Sequence, residues 1–532
     1  MRKIKFLFCI IITLSLAVSC AKRGSITGGD KDVTPPKIVS SYPENFSKDF
    51  NTNTIKINFD EYIKIKDLQK NLVVSPLMKT PLTVLPQGSA SKQMIIKIND
   101  TLQPNTTYSF NFGPSITDNN EGNPIKQFKY VFSTGKELDS LTVEGFVKDS
   151  YEKVTDKYVN VMLYEVDDTF TDSIIYKQTP RYITNTLDST TTFKLDNVKA
   201  GKYKLIALKE KAANYKFDPT KDKIAFYNQT ITVPDPSIFE LELFKEVPAF
   251  KAHRPSQASG NRLLLGYEGN PKDVIITATR NQEKVQVIST KLTNKDSLQL
   301  WFQPLKNDSL KLTVSNKGID KIFALKTREL KQDSLKITAK TKGIVGFNDK
   351  FILHSETPLT KFDESKIRLT KKDSSTVQFK KHYDVFHQDW EFLFDKEPNE
   401  KYTLTLLPEA TEDYLGQKND TLTFQVNTKS LEDYGNLKLN LKNAKSLPVI
   451  VELTNEKGET IVSKYTETTL VEFLLLEPQK YSLRVIYDEN KNQQRDTGNY
   501  LENRQPEEVY HFPNEIDLRA NWDVNQEIDL GK

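Results

Sequence analysis

Two stretches of this chain occur twice. The run GKYKLIALKEKAAN at 201–214 returns as QKYSLRVIYDENKN at 479–492. Pro104, Asn105 and Tyr108 return as Pro398, Asn399 and Tyr402. In both places the tyrosine lies 26 residues before a threonine, Thr134 or Thr428, that ends an apolar strand (VFST, 131–134; TLTFQVNT, 421–428). A duplicated pair of units restricts the chain to a tandem array in which each unit is built around its own core. The units themselves are β. Ile55, Ile57 and Phe59 alternate onto one face, as do Tyr108, Phe110 and Phe112, then Tyr130 and Phe132. Period 2 with turns every ~8–12 residues predicts sandwiches. The expected fold class is all-β, with tandem β-sandwich domains in an elongated array.

Cysteine usage sharpens this. Of 532 residues only Cys9 and Cys20 are cysteines. Arg2, Lys3 and Lys5 precede the apolar run Phe6–Leu16, and Ala17-Val18-Ser19 lead into Cys20. A basic start, a short apolar core and small residues before a cysteine predict a signal peptide over 1–19 ending in the lipobox of a bacterial lipoprotein. Cys20 would then carry acyl chains, palmitate among them, and anchor the chain to a membrane. The remaining 513 residues would hold no disulfide, so their domains must rest on cores alone. The formal charge of +4, of which the signal supplies +3, makes no case for nucleic acid. No second apolar stretch approaches the ~20 residues of a membrane helix.

Residues 20–36, with AKRGSITGGDKDVTPP after the cysteine, read as a tether. From 37 to 136 the runs IKINFDEYIK, VVSP, LQPNTTYSFNF, ITDNNEGNP and FKYVFSTG occur in the order of a bacterial Ig-like domain, and the module resembles the SbsA type of S-layer proteins. With the lipobox and GSITGGDKD ahead of it, the N-terminal part also resembles an Ig-like lipoprotein family of the Bacteroidota. Residues 140–247 (VEGFVKD, VNVMLYEVD, TTFKLDNVKAGKYKLIALKE) resemble a transthyretin-like or carboxypeptidase-regulatory-type sandwich, in which Gly201-Lys202-Tyr203 launches an inner strand. The repeats then assign 336–430 to a second Ig-like domain and 434–532 to a second transthyretin-like one. The strands of 248–335 (VIITATR, KVQVIST, SLKLTVS) suggest a further β-sandwich of unassigned type. These resemblances imply folds and an address, and no reaction.

Few residues carry chemistry. Counting from Tyr481, Asp488 is at +7, Asn492 at +11 and Asp496 at +15; counting from Tyr203, Glu210, Asn214 and Asp218 take the same offsets. Asp488, Asn490, Asn492 and Asp496 fall at positions 1, 3, 5 and 9 of a calcium-loop-like run, so the expected ion is Ca2+. Gln493 replaces the usual glycine and Asn499 the usual glutamate, and a polar turn closed by Asx hydrogen bonds accounts for the same residues. Of the five histidines, His253, His354, His382, His387 and His511, only His382 and His387 are close, and five residues apart on a strand they face opposite ways. HExxH, GxSxG and phosphate-loop motifs are absent. Asp followed by Ser or Thr and a further residue recurs, placing Thr101, Ser140, Ser189, Ser297, Ser309, Ser334 and Thr421 in a pattern that resembles the O-glycosylation signal of exported Bacteroidota proteins. The same pairs make good turns before strands. Trp301 and Trp390 lie in alternating strands and are expected in cores.

The expected function is that of a non-catalytic outer-membrane lipoprotein, an interaction rod and accessory subunit of a β-barrel assembly or export complex. Glycan capture at the cell surface and a hydrolase with a site between domains are the alternatives. Lys22 and Arg23 follow the cysteine, whereas surface-export signals of the Bacteroidota place acidic residues there, so both faces of the membrane stay open.

Overall fold

The computed structural model describes residues 31–186, 191–304 and 309–531. The expected signal peptide, Cys20, most of the expected tether and Ser189 lie outside the described residues. The chain divides into two compact units, Met1–Ser140 and Leu141–Lys532. It is nearly all strand, and the only helical pieces among the described residues are single turns.

In the first unit, strands Ile38–Tyr42, Thr54–Ile65, Ser91–Lys97 and Thr83–Leu85 form one sheet in that spatial order; Val73–Ser75, Thr107–Asn111 and Lys129–Ser133 form the other. Alternation works as expected. Ile55, Ile57, Phe59 and Ile63 face Phe110, Phe112, Tyr130 and Phe132 in a single core. The repeated Pro-Asn-Tyr-Thr set is a hydrogen-bond knot. Tyr108 Oη accepts the Gln103 N–H (2.9 Å), Thr134 Oγ1 accepts the Thr106 N–H (3.0 Å), and Asn105 sits at φ 48° in the left-handed turn between them.

The second unit holds four sandwiches, each with its own core cluster. The knot recurs in residues 336–430: Tyr402 Oη accepts the Glu397 N–H (2.6 Å), Thr428 Oγ1 the Glu400 N–H (3.0 Å), and Asn399 has φ 54°. The two GKY-type sandwiches share a topology. In the first copy, Tyr182–Asn185, Asn160–Glu165, Gly201–Lys209 and Lys223–Phe226 face Thr192–Val198, Leu141–Asp149 and Ile238–Leu243. In the second, Thr460–Thr466, Val449–Thr454, Gln479–Tyr487 and Val509–His511 face Leu470–Leu476, Gly435–Lys442 and Asp523–Asp529. The last two strands of each smaller sheet are parallel in both copies. Tyr203 and Tyr481 each donate a hydroxyl hydrogen bond to the carbonyl four residues earlier, Lys199 and Glu477 (3.0 and 2.7 Å). That bond pins the turn that launches the inner strand.

Neighbouring sandwiches of this unit are joined by specific contacts. Gln299 of the middle sandwich donates to Gln388 of the sandwich at 336–430 (3.0 Å, both buried). The Phe347 ring packs edge-on against Tyr434 at 5.6 Å. The second copy also returns to the first, a neighbour relation that the order of modules does not predict.

Candidate functional site

The loop after each inner strand is the most elaborately built feature of the second unit. In the first copy, Glu210 Oε2 accepts the N–H groups of Asn214 and Tyr215 (2.7 and 2.9 Å). Asp222 accepts those of Lys211 and Asp218 (3.0 and 2.9 Å). In the second copy, Asp488 accepts the N–H groups of Asn492 and Gln493 (3.1 and 2.8 Å), and Glu507 accepts those of Glu489 and Asp496 (3.0 and 2.8 Å). The same four backbone positions, counted from the inner tyrosine, are held by two carboxylates in each copy. Charge-assisted bonds to backbone N–H groups of this kind are among the stronger ones in proteins.

Asp488, Asn490, Asn492 and Asp496 are thus brought into one loop. The side-chain amides of Asn490 and Asn492 both donate to Asp496 Oδ2 (2.7 Å from Asn492). Calcium at these four residues would have to displace those two donors. Among the described residues no three His, Cys, Asp or Glu side chains converge as a metal site would.

What differs is the spacing of the second carboxylate. Asp218 and Asp222 are four residues apart, Asp496 and Glu507 eleven. The extra residues of the second copy form an arm that lies on the first copy. Thr497 Oγ1 donates to the Lys245 carbonyl (2.7 Å), the Tyr500 N–H donates to Glu246 Oε1 (2.6 Å), and Gln505 Nε2 donates to the Phe226 carbonyl (2.9 Å). The buried Tyr500 ring meets Phe226 edge-on at 5.2 Å. Gly498 passes so close to Phe244 that a Cβ would lie 2.6 Å from its ring. Lys204, buried beside the Phe226 and Tyr500 rings, donates to the Asn228 carbonyl (3.1 Å). Burial lowers the Lys204 pKa and raises that of Glu246, since both charges sit away from water.

A second patch of the seam is built on Tyr151 of the first copy. The guanidinium groups of Arg484 and Arg495, both from the second copy, lie 3.7 and 4.4 Å from its ring centroid. Arg484 is 3% exposed and donates to Glu452 Oε2 (2.6 Å), which also accepts from the Tyr151 hydroxyl (3.1 Å). Arg495 donates to Ser150 Oγ (2.9 Å), and burial lowers its pKa. Beside it, burial, with Arg484 and Lys153 nearby, drives the His511 pKa down to about 4. Clefts of about 610 and 590 Å³ open along the seam, the first lined by Tyr227, Gln505 and Glu508, the second by Lys153, Arg484 and His511.

The remaining sequence candidates are dispersed. His253 faces Glu268 (3.2 Å), His354 faces Asp389 (3.0 Å) and His387 faces Asp384 (2.7 Å), while His382 is exposed on its own strand. Trp301 and Trp390 are buried, as alternation predicts, and Trp522 is 49% exposed in a turn. Thr101, Ser140, Ser309, Ser334 and Thr421 are exposed and Ser297 half-buried. Sequence reasoning missed Asp222, Glu507 and the Tyr151 seam. The available signal was a charged pair, Glu452 and Arg484, at the repeat positions of Met162 and Ile206.

Residues 32–134 match the bacterial Ig-like domain family. No match was found among the curated proteins. Among solved structures the chain is similar to surface layer protein SbsC, domains 1–6, at 12% identity over 92% of this chain and 68% of that one, with a TM-score of 0.16. It is similar to SGBP-B of a Bacteroides ovatus mixed-linkage glucan utilization locus, solved with a mixed-linkage heptasaccharide, at 10% identity over 72% and 94% with a TM-score of 0.16. A tandem titin fragment, A168169, is similar at 11% identity over 34% and 100% with a TM-score of 0.14.

Proposed function

We propose that this chain is a non-catalytic outer-membrane lipoprotein, anchored through Cys20, whose joined sandwiches present a preset surface to other envelope proteins. An outer-membrane β-barrel assembly or export complex is the partner class proposed. The observation that carries this reading is the seam between the two copies. Buried Arg484 and half-buried Arg495, both stacked on the half-buried Tyr151 ring, and an arm of the second copy all serve to hold one sandwich on the other. Docking of this kind spends specific polar chemistry on fixing geometry, which is what a scaffold needs. A tagged pull-down from native membranes in mild detergent, read by mass spectrometry, tests it. Stoichiometric recovery of a barrel protein is expected; recovery of the lipoprotein alone would reject the accessory role.

Trp522 favours a second reading. Its half-exposed ring sits in a turn with the Arg519 guanidinium 5.1 Å from its centroid, a platform on which a sugar ring could stack. That reading, glycan capture, requires retention on polysaccharide gels that Trp522→Ala abolishes.

A further inference from the structure

Exposed large apolar side chains are unevenly distributed in this protein. Among the described residues of the first unit, Val33, Ile38, Val39, Tyr42, Phe46 and Tyr62 are exposed, five of them within the fourteen residues 33–46. The 392-residue second unit exposes seventeen, scattered over its whole length. Single exposed apolar residues are ordinary, whereas a concentration of them marks a surface that something covers.

The segment 33–46 is not a frayed end. Strand Ile38–Tyr42 pairs with Thr54–Ile65 and is the edge of its sheet. The Lys37 N–H donates to Asp60 Oδ1 (2.8 Å). Beyond the strand, the Phe46 N–H donates to the Val131 carbonyl (2.7 Å), Asn45 Nδ2 to the Lys129 carbonyl (3.0 Å), and Tyr130 Oη to the Pro43 carbonyl (2.7 Å). The chain therefore runs from the edge of one sheet to the edge strand Lys129–Ser133 of the other, along one side of the sandwich. Val33 and Tyr42 are each 77% exposed. An ordered edge strand with apolar side chains facing water is a liability unless it has a partner.

We infer that this side of the first unit rests on the surface of the bilayer in which the chain is anchored, with Val39, Tyr42 and Phe46 entering the headgroup region. The inference rests on the lipid anchor at Cys20. From Cys20 to Val33 there are thirteen residues, which even fully extended reach only about 45 Å, so the side on which the chain enters the unit is tied close to the membrane. Tethering raises the local concentration of bilayer at the patch, so a handful of side chains suffices where they would not hold a free protein. Tyrosine suits the headgroup level, with its hydroxyl wet and its ring apolar, and phenylalanine suits the apolar boundary just beneath it. Charges along 31–49 balance, with Lys31, Lys37 and Lys48 against Asp32, Glu44 and Asp49, so the contact draws on apolar side chains rather than on anionic lipid.

The test exploits the cysteine count. Once the signal is removed and Cys20 acylated, an introduced cysteine is the only free thiol. Spin labels placed through Val39→Cys, Tyr42→Cys and Phe46→Cys, with Ile461→Cys in the second unit as control, are read in the lipidated chain on vesicles of 3:1 phosphatidylethanolamine and phosphatidylglycerol. The same labels in the chain beginning at residue 21 are the aqueous reference. Expected on vesicles is a several-fold loss of collisions with a water-soluble nickel relaxant and a gain with oxygen at 39, 42 and 46, with no change at 461. Unchanged nickel collisions at 42 and 46 in protein that floats with the vesicles overturn the proposal and leave the anchor standing. Dipolar broadening between labels would assign the patch to a second copy and likewise overturn it. Protein that does not float overturns the anchor and the proposal together.

Discussion

The two GKY-type copies solve one problem in the same way and a second in different ways. Both must close a long loop that leaves the inner strand, and both do it with a carboxylate at +7 from the tyrosine and a second one further on, each taking two backbone N–H groups. On the next surface they diverge. The first copy buries the apolar cross-strand pair Met162 and Ile206; the second has half-buried Glu452 and buried Arg484 at the same positions and covers them with Tyr151 of the first. The second also lengthens its loop into the arm Thr497–Pro506. The two copies thus share their loop closure and differ at the surfaces through which they meet.

The largest expected effect comes from breaking the unlike pair. Arg484→Ala leaves the half-buried Glu452 without its cation and should cost about 3 kcal/mol, the low end for a broken buried pair, read as an earlier transition in urea unfolding. The double change Glu452→Met with Arg484→Ile copies the first copy's apolar pair and should recover most of that loss, because the desolvation of two charges disappears with them. A near-silent Arg484→Ala would mean that the seam is not closed by this pair. Next come the like features. Glu210→Ala and Asp488→Ala each strand two N–H groups, for about 1–3 kcal/mol apiece. Hydrogen exchange should show Glu210→Ala loosening its own loop alone, and Asp488→Ala loosening both its loop and the arm. Equal, confined effects would separate loop closure from docking.

How much of this was legible follows from range. The sandwich pattern and the Pro-Asn-Tyr-Thr knot were readable because period-2 alternation and a left-handed Asn turn are local properties. The offsets +7, +11 and +15 lined up the loops correctly, since Glu210 and Asp488 do take the same role, and Asn214 and Asn492 present the N–H groups they hold. Asp222 and Glu507 escaped because the arm shifts one to +19 and the other to +26. The seam escaped because its contacts join residues more than 250 apart, such as Lys245 and Thr497 or Tyr151 and Arg484, and nothing in either neighbourhood alone names its partner. A charged residue replacing isoleucine in an otherwise apolar inner strand was the visible trace.

Two smaller effects sharpen the comparison at the seam itself. Gly498→Ala pushes a methyl into the Phe244 ring and should cost about 1–3 kcal/mol as overpacking, seen as faster proteolysis of the arm while the first copy's loop is untouched. The weakest lever is pH. His511 of the second copy stands beside Arg484 and beside Lys153 of the first, and burial with these cations lowers its pKa to about 4 from 6.5. Between those values the unfolded chain binds a proton that the folded chain refuses, so stability rises with pH across the window. The His511 contribution is complete above about 6.5 and falls away as the pH drops toward 4. His511→Gln should flatten the melting temperature between pH 4 and 6.5 relative to the parent protein. A parallel pair of profiles would show that His511 is as wet in the folded chain as in the unfolded one, and that the seam does not close over it.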